Sequence, residues 1–315
     1  MGHRVISGVA ALVLAAGLAA PVHAQDAKAA EVLTAARKAI GNGKLDGLKT
    51  FSLQAAMQRN VGSMQMQSDV ELLVEMPDKY MRSDVSSGMM NMTMRTGFNG
   101  ERAILPTGAR AMPGGGGMMI TMGGGPGAGA AANPPAAERP TPEQMEQMSR
   151  VSLRSSRQEI SRLMLGWFGT VHPSLRAQYT YAGEAESPDG KAHVIDVKDA
   201  DGFAARLFID QISKRPLMVT YQGRQPRMVT MNRPRSTTGA PGAPQADAEA
   251  AKQAQQPAPM IEFSLFFDDW HEADGVNFPH KIRRASAGET NEEWTISKVK
   301  VNPTIDPKKF AVEGR

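Results

Sequence analysis

Most of the chain alternates apolar and polar residues with a period of two. Phe51, Leu53, Ala55 and Met57 fall on one side of an extended segment, as do Val70, Leu72, Val74 and Met76. Phe203, Ala205, Leu207 and Ile209 repeat the pattern, followed by Leu217, Val219 and Tyr221 and by Ile261, Phe263, Leu265 and Phe267. Successive side chains of a strand point to opposite faces, so each segment predicts a strand with one apolar and one mostly polar face. One-sided strands joined by short turns imply an antiparallel sheet with a single greasy face. Asp274-Gly275 is a turn dipeptide, Pro279 fits only where no ladder donor is needed, and Asn302-Pro303 ends the strand that follows, which together predict a hairpin. In the final strand the alternation slips, with Trp294 and Ile296 on one face and Val299 and Val301 on the other. A bulge near Ser297-Lys298 reconciles them.

Two stretches follow a helical period instead. After Asp26 as N-cap, Ala29, Leu33, Ala36 and Ile40 share a face, and Gly41 closes the segment. Thr141 and Gln144 fit a capping box with Pro142 at the first helical position, and Ile160, Leu163, Met164, Trp167 and Phe168 form an apolar stripe before Gly169. The order is helix, about five strands, helix, then six to seven strands. Both helices must dock on the greasy face to bury it.

Composition adds location and limits. His3 and Arg4 precede an apolar run from Val5 to Ala20, and Pro21-Val22-His23-Ala24 offers a cleavage site before Gln25, so residues 1–24 read as a secretory signal. The run is shorter than the ~20 residues a spanning helix needs. There is no cysteine, which excludes disulfides and a lipid-modified N-terminal cysteine. The formal charge of +4, which drops by one if Arg4 leaves with the signal, is too mild and evenly spread to suggest nucleic acid. Residues 106–141 (Gly, Ala, Met and Pro) and 233–259 (Pro, Ala and Gln) bury too little apolar surface to offset chain entropy and are expected to be flexible insertions. The rest, residues 25–315 apart from the insertions, is about the size of one domain.

Two stretches carry a family resemblance. Asp274-Gly275-Val276-Asn277-Phe278-Pro279-His280-Lys281-Ile282, followed by Glu293 to Pro303 and then Phe310, resembles the C-terminal hairpin of the LolA-like proteins. Asp69 to Arg82, with Met76-Pro77-Asp78 between two strands and Arg82 at the end of the second, is similar to another part of that family. The resemblance implies an α+β fold: a curved antiparallel β half-barrel of about 11 strands, with helices covering its concave apolar face and enclosing a cavity for acyl chains. It also implies a periplasmic carrier of lipid or lipoprotein, working between an inner-membrane donor and an outer-membrane acceptor, monomeric and without cofactor or catalysis. A carrier must hide its cargo, since exposing a chain of about 16 carbons at ~0.8 kcal/mol per methylene costs on the order of 12 kcal/mol. The expected wall residues are Phe51, Leu53, Leu72, Val74, Leu207, Ile209, Phe263, Leu265 and Phe267, the lid residues are Trp167 and Phe168, and Arg82 is expected to hold the lid. The alternative is a regulator on the same fold that acts by protein contact.

Methionine is the compositional oddity, at 21 residues. Met90, Met92 and Met94 share a strand face and are expected to line the cavity with adaptable side chains. Thioethers are also soft ligands, which makes copper(I) a remote alternative, although strand alternation by itself fixes no ligand geometry. Asp268-Asp269-Trp270-His271-Glu272 groups three carboxylates with an imidazole and is expected to be a solvated hairpin loop rather than a metal site. There is no phosphate-binding loop, nucleophile elbow or paired metal-histidine motif.

Overall fold

The computed structural model describes residues 22–41, 43–61, 64–86, 92–106, 109–111, 118–120, 141–187, 190–225 and 258–312. Helix α1 spans Val22–Gly41. It is followed by β1 (Thr50–Val61), β2 (Met64–Glu75), β3 (Lys79–Ser86), β4 (Met92–Asn99), β5 (Arg102–Ile104), β6 (Ala109–Ala111) and β7 (Met118–Ile120). Helix α2 (Pro142–Phe168) precedes β8 (Gln178–Ser187), β9 (Gly190–Lys198), β10 (Ala204–Asp210), β11 (Pro216–Arg224), β12 (Met260–Ala273), β13 (Val276–Ser286) and β14 (Glu289–Val301).

Twelve of these strands form one open antiparallel sheet in the order β5-β4-β3-β2-β1-β14-β13-β12-β11-β10-β9-β8. Every neighbouring pair is consecutive in strand order except β1 and β14, which pair the first strand with the last. The expected half-barrel class therefore holds, with one strand more than the sequence suggested. The expected bulge is present too: Gln54 pairs with Lys298 but Ala55 with Ile296, leaving Ser297 unpaired in the ladder. This lets Val299 and Trp294 both face inward. The Asp274-Gly275 turn has positive φ at both residues (51° and 76°), the geometry of a tight two-residue hairpin.

Three expectations change. In the first insertion, β6 and β7 form a small ladder of their own, Ala109 opposite Ile120 and Ala111 opposite Met118, whereas its remaining interior and the second insertion up to residue 257 lie outside the described residues. Leu217 is exposed, because the register shifts between Phe208 and Ile209 and turns it away from the concave face. Asp268 to Glu272 is not a loop but part of β12, which a positive φ of 57° at Asp269 carries on to Ala273. Asp268 pairs with Arg283, and Asp269 shares a hydrogen bond with His271.

Both helices dock on the concave face. On α1 the buried side chains are Ala29, Val32, Ala36 and Ile40, with Leu33 half-buried; the helix is already formed at Val22, ahead of the expected cap at Asp26. The α2 cap matches the sequence expectation, since Thr141 Oγ1 accepts from the Gln144 amide and Gln144 Oε1 accepts from the Thr141 amide. A second, smaller core forms on the convex side. There Phe310, in a short 3-10 turn at Pro307–Phe310, packs on Leu73, Met81 and Ile104. This explains why β2 and β3 break the one-sided pattern at Leu73 and Met81.

Candidate functional site

Helix α2 covers a concave surface with two chemically different halves. Beneath its last turn the surface is apolar. Phe51 lies 5.5 Å from Trp167, 5.3 Å from Phe168 and 5.3 Å from Phe278, ring centre to ring centre. The ring of Phe267 occupies the place where a side chain on Gly166 would go, 1.9 Å from an ideal Cβ, so glycine is required for this close approach. Leu53, Leu72, Val74, Leu207, Ile209 and Leu265 complete the same core, each at most 2% exposed. Phe263, at 7%, stacks on Tyr221 at 5.3 Å and 13°. The expected wall and lid residues are thus brought together, and where Phe51 and Phe267 meet α2 they touch directly, with no gap between wall and lid.

Beneath the preceding turns of α2 the same concave face is charged. Arg82 does not end its strand as expected but lies in the middle of β3, 5% exposed. Its Nη1 donates to Glu159 of α2 at 2.5 Å, its Nε to Asp84 at 2.8 Å, and its Nη2 to Met57 Sδ at 3.4 Å, while the guanidinium lies 4.8 Å over the Trp294 ring. Burial opposes the charge on Arg82, but Glu159, Asp84 and Glu292 more than offset it and hold the group above its ordinary value. Glu292 on β14, 4% exposed, accepts from Arg59 Nε at 2.8 Å and Trp294 Nε1 at 2.7 Å, with Arg284 Nη1 at 3.6 Å. Burial pushes its carboxyl up, yet Arg284, Arg59 and Arg82 with the Trp294 N–H pull it down to about 2. Arg162 of α2 stacks on the Tyr221 ring at 4.0 Å.

Arg59, Glu159, Arg162, Arg284 and Glu292 were not singled out from the sequence. A signal existed for three of them. Arg59 continues the inward phase of Phe51 to Met57, Glu292 precedes Trp294 and Ile296 in phase, and Arg284 follows Ile282 in phase, so each is a charge written into an apolar face. Of the methionine trio, Met94 is half-buried opposite Asp84, Met92 lies opposite Ser86, and Met90 lies outside the described residues. Among the described residues no group of three or more His, Cys, Asp or Glu side chains could hold a metal ion.

Among the described residues, two further surface clefts can be named. One, of about 230 Å³, lies on the convex side among Glu71, Lys298, Lys300 and Lys309; the other, of about 270 Å³, lies between Arg150, Arg154, Asp199 and Asp201. Both fall below the ~300–1,000 Å³ of usual ligand pockets.

No protein-family model matches the sequence, and no curated protein matches it. Solved structures similar to it include a LolA superfamily protein from Nitrosomonas europaea, at 10% identity over 90% of this chain and 97% of that one, with a TM-score of 0.46. A putative outer membrane lipoprotein-sorting protein domain from Vibrio parahaemolyticus has the same identity and coverage at a TM-score of 0.42. A DUF1329 family protein from Desulfovibrio piger, again 10% identical with coverage of 90% and 97%, has a TM-score of 0.37. The first of these carries the family name that the Asp274 hairpin and the Asp69–Arg82 segment resemble. Among the described residues no helix is long and apolar enough to cross a membrane.

Proposed function

We propose that this protein is a periplasmic carrier that shelters the acyl chains of a lipid or lipoprotein against its concave face, with α2 as a lid that lifts to admit them. The observation that carries this reading is how α2 is fastened. Its last turn seals an apolar surface, but one to two turns earlier it is tied down by the ion pair between Arg82 and Glu159. A partly buried ion pair adds little stability over an apolar contact of the same volume, so a helix that only had to complete a core would have no need of one. An ion pair does suit a latch, because water can replace its partners when the helix lifts. Phe51, Leu53, Leu207, Ile209, Leu265 and Phe267 then form the wall, Trp167 and Phe168 move with the lid, and Arg82 holds it shut. The role is binding and transfer rather than catalysis, from an inner-membrane donor to an outer-membrane acceptor.

A regulator acting by protein contact is the second reading. Its support is the exposed apolar side chains Met145 and Val151 on the first turns of α2, with Met66 on β2 and Met260 on β12. Titration of a fluorescent fatty acid into wild type and Glu159→Gln separates the two. A carrier takes up the probe, and releasing the latch speeds uptake several-fold. If neither form takes up the probe while both remain folded by circular dichroism, the carrier reading fails and the contact reading takes its place.

A further inference from the structure

The charged half of the concave face is unbalanced. Among the described residues four guanidinium groups, from Arg59, Arg82, Arg162 and Arg284, share three carboxylates, from Asp84, Glu159 and Glu292. Two of the four keep a buried N–H without an acceptor, although Glu292 and its neighbours hold the charge of Arg284 above its ordinary value. Arg284 reaches Glu292 only at 3.6 Å, beyond hydrogen-bond length, and its Nε is buried without an acceptor. Arg162 donates one bond, to Gln158 on its own helix at 3.1 Å, and its Nε is also buried without an acceptor. A buried N–H left unpaired is costly, and more so when the group is charged. The two cations are also close enough for Arg284 to disfavour the charge on Arg162, second in effect only to burial among the unfavourable influences on that group. Tyr221 forms the floor, its ring under Arg162 and stacked on the wall residue Phe263. Leu265, also of the wall, lies directly across the ladder from Arg284. One orphaned Nε–H on α2 and one on β13, bordering an apolar wall, leave arginine donors of the kind that grip phosphate as a fork.

We propose that Arg162 of α2 and Arg284 of β13 form an anion site that takes the phosphate of an amphiphile's head group, while its acyl chain lies against Phe263, Leu265 and the wall beyond. This rests on the carrier reading for the chain but not for the anion. Because Arg162 belongs to the lid and Arg284 to the sheet, a bound phosphate bridges the two and replaces the tie that Arg82 and Glu159 make in its absence.

The test compares three probes by calorimetric titration of the mature protein: dodecyl phosphate below its micelle concentration, 1-dodecanol, and inorganic phosphate. The expected result is that dodecyl phosphate binds at least about tenfold more tightly than dodecanol, as paired charge-assisted bonds warrant. In the double variant Arg162→Gln with Arg284→Gln that ratio should fall to within about twofold of unity. Equal binding of both amphiphiles to wild type would overturn the anion site and leave the carrier standing, whether or not the variant folds. Binding of inorganic phosphate alone, lost in the variant or weakened by Arg284→Lys, would uphold the site as one for free phosphate and sink the carrier. Binding of none of the three would overturn both.

Discussion

Successive turns in the C-terminal half of α2 sit on one sheet by opposite means. At Gly166, Trp167 and Phe168 the helix is held by shape: ring meets ring, and a missing side chain lets Phe267 approach. At Glu159 and Arg162 it is held by charge, over guanidinium groups that outnumber the described carboxylates. Shape fit forfeits its dispersion energy within an ångström of separation, whereas an ion pair lets go gradually as water enters. The apolar last turn therefore anchors the helix, and the charged turns just before it are where it can be released.

The strongest way to break the comparison is Gly166→Leu. Its side chain would have to enter the Phe267 ring, and both lie in a packed core, so the cooperative thermal transition should be lost or the protein destabilised by about 3 kcal/mol or more. A near-normal melt would mean that α2 does not rest on β12 in solution. Phe51→Ala deletes the ring that joins lid to sheet and should destabilise by ~3 kcal/mol at the least, read by urea denaturation.

Glu292→Gln probes the charged half and should cost about 3 kcal/mol at neutral pH, since it leaves Arg59 and Arg284 short of a partner. It also changes the acid limb. The Glu292 carboxyl is depressed in the folded state from 4.5 to about 2, so its stabilisation is complete above pH 4.5 and is lost as pH falls from there toward 2. Denaturation midpoints measured across that window should slope less steeply in the variant than in wild type; equal slopes would show that Glu292 is not the group responsible. Smallest is Glu159→Gln, about 1 kcal/mol, because Glu159 is partly exposed and Arg82 keeps Asp84. Hydrogen exchange should nevertheless quicken around Glu159 and not at Gly166. Uniform quickening along the helix would erase the distinction between anchor and latch.

Much of the fold was legible in the residue order. Period-two alternation located most strands because one face of each must leave water, and Thr141, Pro142, Gln144 and Gly169 marked the ends of α2 because helix termini leave backbone groups that only certain residues satisfy. The slip between Ile296 and Val299 foretold the bulge at Ser297 for the same reason. Leu73 and Met81 looked like faults in the pattern, and only Phe310, more than 220 residues further on, accounts for them.

The candidate site divides the same way. Sequence alone determined that Phe51, Leu207, Leu265, Phe267, Trp167 and Phe168 leave water, since burial follows from periodicity within a single segment. It could not determine that Arg82 meets Glu159, or that Arg162 comes to lie above Tyr221 near Arg284, because these residues come from separate elements far apart along the chain. Which charges face each other depends on where α2 crosses the sheet and on the β1–β14 pairing that brings Arg59 to Glu292. Electrostatic partnership is a matter of distance in space, and only the tertiary structure fixes that distance.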